Sequence, residues 1–167
     1  IFWDKYNIIS IYKSSLINSY MIKKILFSKI CIASDHAGYD MKEKIKDFLL
    51  VKDIPVIDLG PFTDASVDYP DYAKRVAKRI VLKKSDVGIL VCGSGTGMAI
   101  TANKFKGIRA AQCYNKFVTI LSRQHNNANI ICLGSRILKS KETFSLINYF
   151  LSTKFEAGRH QKRINKI

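Results

Sequence analysis

The stretch that most limits what this chain can become is Asp86 to Lys104, DVGILVCGSGTGMAITANK. Its opening run, Val87-Gly88-Ile89-Leu90-Val91, is uncharged, β-branched and too short for a helix. Such a run reads as a strand buried on both faces, which calls for a parallel sheet covered by helices on each side. The strand ends on Cys92, and alternating glycines follow in Gly93-Ser94-Gly95-Thr96-Gly97. From Met98 to Phe105, alanine and methionine favour a helix. Strand, glycine turn and helix start together present backbone N–H groups and the positive end of a helix dipole to one spot. Cys92 stands there, a candidate base or nucleophile facing an anion-binding cup.

Two nucleotide motifs are excluded. A Walker loop ends in Gly-Lys-Ser/Thr, whereas Gly97 is followed by Met98. The dinucleotide fingerprint needs a third glycine at that same position and an acidic residue some twenty residues on. Cys113, Tyr114 and Asn115 occupy that region, and none is acidic. The loop suits a small anion or an oxyanion.

The remaining pattern builds outward from this strand. Lys29–Ser34 is a first strand ending at Asp35-His36-Ala37-Gly38, and Tyr39–Val51 a helix with Met41, Ile45, Phe48 and Leu49 inward. Val56–Leu59 is a second strand, and the loop Gly60–Asp68 leads to Tyr69-Pro70 at the start of a helix reaching Lys83. Tyr72, Val76, Ile80 and Val81 form the inner stripe of that helix. Strands at Ile108–Cys113 and Asn129–Leu133, helices at Lys116–Gln124 and Lys141–Leu151, and a basic tail complete the chain. This alternation predicts a three-layer α/β/α sandwich on a five-stranded parallel sheet, Rossmann-like or flavodoxin-like. Ligands of such sheets bind beyond the strand carboxyl ends, near the switch in strand order. Asp35, His36, Cys92 and the glycine loop all fall at predicted carboxyl ends.

Length and composition bound the partners. With 167 residues, 47% of them hydrophobic, the chain supports one domain with a full core. Four cysteines lie in or beside apolar runs without paired spacing, so neither a zinc ribbon nor a disulfide framework is expected, and a reducing cytoplasm suits them. A net charge of +15 raises nucleic acid as a partner. The lysines are instead spread over amphipathic helices as solvated charge, with no aromatic-interleaved basic stripe, so no nucleic-acid binding is expected. Residues 1–21 fit neither a secretory signal nor a membrane span and read as an extension, native or not, ahead of a domain over residues 22–167.

Few residues can do chemistry. Of three histidines, His36 follows the first strand and His125 closes the helix before Asn126, both expected at the rim; His160 lies in the tail. Asp35 is either a helix cap or a group exchanging protons with a hydroxyl. Amide hydrogens and a helix start favour the thiolate of Cys92, whereas Cys31, Cys113 and Cys132 read as core. Arg159 and Arg163 share one face if helical and could clamp a phosphate, with Arg136 joining them. No carboxylate and histidine cluster shows metal-ligand spacing.

Eight motifs in order then point to a known family: SDHAG (34–38), DYPDYA (68–73), CGSGTG (92–97), ANK (102–104), GIRA (107–110), SRQHN (122–126), GSR (134–136) and GRHxxR (158–163). Over Ile25 to Lys166 the chain resembles type B ribose-5-phosphate isomerase, a family that includes galactose-6-phosphate isomerase subunits. The resemblance implies an aldose–ketose isomerase of the pentose phosphate pathway that works through an enediolate with no metal or organic cofactor. It implies Cys92 as the base, with Gly93, Ser94, Gly95, Thr96 and Gly97 holding the oxyanion. It further implies His125 in ring opening, Asp35 as proton shuttle, Asn126 on a sugar hydroxyl and Tyr69 lining the sugar pocket. His36, Arg136, Arg159 and Arg163 would gather the phosphate. One branch of the family uses a glutamate six residues after the thiol; Met98 stands there, which places this chain with the cysteine branch. The family's sites are shared between subunits, so a homodimer, or a tetramer, is expected. The alternatives are a six-carbon substrate such as galactose or allose 6-phosphate, and a non-catalytic phosphate-binding module.

Overall fold

Side-chain alternation along five short strands sorts the core into two apolar layers. In the computed structural model, which describes residues 24–167, these strands are β1 (Ile30–Ser34), β2 (Val56–Asp58), β3 (Val87–Cys92), β4 (Ala110–Gln112) and β5 (Ile130–Gly134). All pair in parallel, in the order β2-β1-β3-β5-β4. Ile30, Ile32, Val87, Ile89, Val91, Ile131 and Leu133 point to one face. Cys31, Ala33, Leu90, Cys92, Ile130 and Cys132 point to the other.

Helices cover both faces, completing the expected three-layer sandwich. On the first face lie α1 (Tyr39–Leu50), α4 (Lys116–Gln124) and α5 (Ser140–Ser152), through Met41, Ile45, Leu49, Val118, Leu146, Ile147 and Phe150. On the second lie α2 (Tyr69–Val81) and α3 (Thr96–Ala102), whose contacts are mostly small: Ala73, Val76, Ala77, Ala99 and Ala102. Small residues let these helices sit close to the sheet. A Cβ on Gly88 of β3 would lie only 2.4 Å from the side chain of Val76.

The elements differ from expectation at their ends. β4 covers only Ala110–Gln112: the Arg109 N–H before it goes to the Asn129 side chain, and the Asn103 side chain donates to the Ala110 carbonyl and accepts from the Ala110 N–H. Val81 is 48% exposed and Ala73 and Ala77 take the inner stripe of α2 with Val76 and Ile80. The basic tail forms a helix, α6 (Gly158–Ile164). The expected extension at residues 1–21 lies outside the described residues.

One lysine departs from the picture of solvated charge. Lys42 of α1 is fully buried, its Nζ 2.6 Å from Asp58 Oδ2 and 2.6 Å from Glu43 Oε1. Lys46 joins Asp58 at 2.7 Å, and the other Asp58 oxygen accepts the Gly60 N–H at 2.9 Å. This cluster anchors the end of β2 and the loop that leads to Tyr69. Burial pushes the Asp58 carboxyl up, but the two lysines and the Gly60 amide hold it, on balance, below the ordinary value of 3.8. Its contribution is therefore present above that value and lost as pH falls through the lowered one. Asp58→Asn leaves the buried Lys42 ammonium with Glu43 as its remaining carboxylate and is expected to cost about 2 kcal/mol at pH 7. In urea titrations that difference from wild type should close as pH falls below 3.8; a gap as wide at pH 3 as at pH 7 would contradict the assignment.

Candidate active site

Strand register brings the chemistry of three segments to one edge. Ser34 of β1 pairs with Val91 of β3, and Cys92 pairs with Gly134 of β5. Asp35, Cys92 and the turn after Gly134 therefore emerge side by side at the carboxyl ends, beside the gap between β1 and β3 where strand order reverses. They open on a cavity of about 340 Å³, lined also by Tyr69, Ser94, Gly97 and Arg136.

Cys92 is the centre of this cavity's floor. It is 5% exposed, and its sulfur accepts the Gly95 N–H at 3.0 Å. Reaching back to the sulfur takes Gly95 to φ +83°, the left-handed region that favours glycine. The same turn presses the Ser94 carbonyl against Gly134, where a Cβ would lie 2.8 Å from that oxygen. The Ser94 hydroxyl accepts the Thr96 N–H at 3.3 Å, which leaves its proton free for a ligand. The first amides of α3, including Gly97, have no intrahelical acceptor, as at any helix start. Cys31, Cys113 and Cys132 are core as expected, and burial pushes all three thiols up.

The neighbours are fixed by backbone contacts. Asp35 is 7% exposed, and its Oδ1 accepts the Gly38 N–H at 2.9 Å, closing the turn before α1. It is thus not the cap of that helix: Gly38 holds the cap position, without a side-chain bond. The Ser135 N–H donates to the Cys92 carbonyl at 2.8 Å and the Arg136 N–H to the Gly93 carbonyl at 3.1 Å. β5 thereby delivers Arg136, whose guanidinium lies 3.3 Å from where a Gly93 Cβ would be. The Tyr69 ring covers Gly97, 2.8 Å from the corresponding point. His36 Nδ1 sits against the backbone of Val67, 3.3 Å from its N and 3.2 Å from its O.

The other expected residues gather at the opposite end of the sheet. α4 leaves β4 at the carboxyl edge and runs back, so His125 lies just before Asn129, whose carbonyl accepts the N–H of Gly88 at the base of β3. The expectation that His125 faces the rim of its own chain is thus incorrect: a residue ending a crossover helix is returned to the amino ends of the strands. Arg109 donates to the Asn126 carbonyl at 2.9 Å and to the Asn127 carbonyl at 3.0 Å, and Arg123 bonds the Ala128 carbonyl. Burial, with Arg109 alongside, brings the Arg123 guanidinium down to about 10.

α6 adds to this second cluster. His160 stacks on His125 with ring centres 4.1 Å apart, and Glu156 lies 3.8 Å from His125 and 3.9 Å from His160. Burial, then the positive charge of His125, Arg159 and Arg163, pushes the His160 imidazole down against the pull of Glu156. Arg159 and Arg163 do share this helix, as their spacing anticipated. Folding also assembles a group the linear spacing did not show: His125, Glu156 and His160 hold ligand atoms within 4.8 Å of one another. The two rings are parallel within 6°, so their in-plane lone pairs run alongside each other instead of converging on an ion.

Comparison with known proteins accounts for this pattern. The family model described as Ribose/Galactose Isomerase matches residues 30–167. A Mycoplasma genitalium protein named probable ribose-5-phosphate isomerase B is 46% identical over 140 residues, 83% of this chain and 92% of its own. The crystal structure of a ribose 5-phosphate isomerase from Thermotoga maritima superposes with a TM-score of 0.82 at 50% identity, covering 83% of this chain and 96% of that one. A ribose-5-phosphate isomerase B from Mycoplasma genitalium with bound ribulose-5-phosphate gives a TM-score of 0.78 at 45% identity, covering 82% and 91%. The cavity thiol, the glycine turn and the arginine-rich last helix are thus set in a shared fold, and this chain belongs to the ribose/galactose isomerase family.

Proposed function

We propose that this protein interconverts ribose 5-phosphate and ribulose 5-phosphate, with the thiolate of Cys92 as the base. The observation that carries this reading is the Gly95 N–H held 3.0 Å from the Cys92 sulfur on the floor of an open cavity. Cys92 takes the proton from C2 of the open-chain aldose, and the resulting enediolate takes one back at C1. In this reading the turn from Gly93 through Gly95 and Thr96 to Gly97 holds the developing oxyanion, with the Gly97 amide and the Ser94 hydroxyl proton as the donors its internal bonds leave over. Asp35 exchanges protons at the sugar hydroxyls, and Tyr69 lines the sugar. The reaction moves hydrogens within one molecule and is redox neutral overall, so it calls for no external oxidant or reductant.

His125 and Asn126 reach a site only if a second copy of the chain supplies them. A homodimer in which the basic end of one subunit faces the cavity of the other would unite the two clusters. Arg136 and His36 then meet the phosphate from one subunit, and Arg159 and Arg163 from its neighbour. Ring opening falls to His125 of the partner subunit. Four free, buried cysteines fit a cytoplasmic enzyme, and among the described residues no helix is long and apolar enough to cross a membrane.

With EDTA present, the full chain is expected to isomerise ribose 5-phosphate faster than galactose or allose 6-phosphate. Cys92→Ala should lower kcat by about 10³-fold while the variant still binds ribulose 5-phosphate by calorimetry; undiminished turnover would remove the base assignment. Mixing inactive Cys92→Ala and His125→Asn subunits after dissociation should restore roughly a quarter of wild-type activity, since a hybrid dimer holds one intact site. No recovery after demonstrated subunit exchange would show that each site is built from one chain.

A further inference from the structure

The turn under Cys92 is gripped from outside by a residue with no role in the chemistry described above. Gln112, the last residue of β4, donates through Nε2 to the Ser94 carbonyl at 2.9 Å and to the Thr96 hydroxyl at 2.8 Å. The Ser94 carbonyl and the Gly95 N–H belong to one peptide unit. In a trans peptide these two groups point in opposite directions. Whatever holds that carbonyl away from the cavity therefore aims the N–H at the Cys92 sulfur, where it is found.

We propose that Gln112 is a positioning residue that keeps the Ser94–Gly95 peptide turned with its N–H toward Cys92. Two features make this necessary. Gly95 lies at φ +83° and carries no side chain to resist rotation of the flanking peptide. On the other side Gly134 meets the Ser94 carbonyl with backbone alone, which limits how far that oxygen can move but offers it no hydrogen bond in that contact. A flipped peptide would point a carbonyl at the sulfur, repelling a thiolate and removing the sulfur's amide partner. The second bond, to Thr96, ties the same glutamine to the first residue of α3, so one side chain fixes both ends of the turn. The inference rests on the reading of Cys92 as the reactive thiol.

The test uses Gln112→Met, which keeps volume and loses the donor, and Gln112→Glu, which sets a carboxylate against the Ser94 carbonyl. The readout is the pH dependence of Cys92 alkylation by iodoacetamide, with the modified residue located by mass spectrometry. Relative to wild type, Gln112→Met should move the midpoint up by about 0.5 to 1 pH unit, with a larger shift in Gln112→Glu. For isomerisation, Gln112→Met should lower kcat about 3- to 10-fold with KM changed less than twofold. Wild-type alkylation and kcat in a folded Gln112→Met would overturn the proposal, as would a raised KM at unchanged kcat, which would put Gln112 on the substrate. Alkylation is read without substrate, so it separates this proposal from the base assignment. If Cys92→Ala retains turnover, the assignment fails while the alkylation shift still judges Gln112.

Discussion

Everything at the carboxyl edge depends on one hydrogen bond, from the Gly95 amide to the Cys92 sulfur. It exists because β3 and β5 end level, with Cys92 paired to Gly134, so that the glycine turn folds over that glycine. The sheet sets this level. β3 is buried along its whole length between β1 and β5, and neither neighbour can slip by one residue without exchanging the two apolar layers. A loop that would otherwise be soft is thereby placed by the stiffest part of the molecule.

The second constraint is the direction of the crossover helices. Every helix that follows a strand in this fold carries the chain back to the amino edge, so the carboxyl ends of those helices and the carboxyl ends of the strands lie at opposite edges of the sheet. Asp35, Cys92 and Arg136 lie at strand ends; His125 lies at a helix end, and α6 packs beside it. The cluster of His125, His160, Arg159 and Arg163 carries Glu156 as its nearby carboxylate and depresses the His160 imidazole. Such a surface suits an incoming phosphate. The proposed dimer, with its shared site, would resolve both the distance and the charge.

Much of this was legible in the residues. The apolar run ending at Cys92 announced a buried parallel strand, and the period of the helices gave the layers, because burial patterns of that kind follow directly from geometry. Gly93 to Gly97 marked a tight anion-friendly turn for the same reason. What the linear pattern could not give was placement across the sheet. The place of His125 depends on the return path of α4, and the His125–Glu156–His160 group exists only through packing of α6. Lys42 reads as surface charge in the linear sequence because its partner Asp58 is brought to it only by β2. Gln112 left a faint trace, a polar side chain in an otherwise apolar strand segment, but its target lies in a loop distant in sequence.

The central claim is that a single thiolate carries the substrate proton, and the most direct measurement follows that proton. Ribose 5-phosphate is turned over in D₂O, and deuterium is located by NMR in recovered aldose and in ketose. The account predicts label at C2 of the aldose and C1 of the ketose with the wild-type chain, and none at either carbon when Cys92 is replaced by alanine. Label entering at an undiminished rate without the thiol would contradict it.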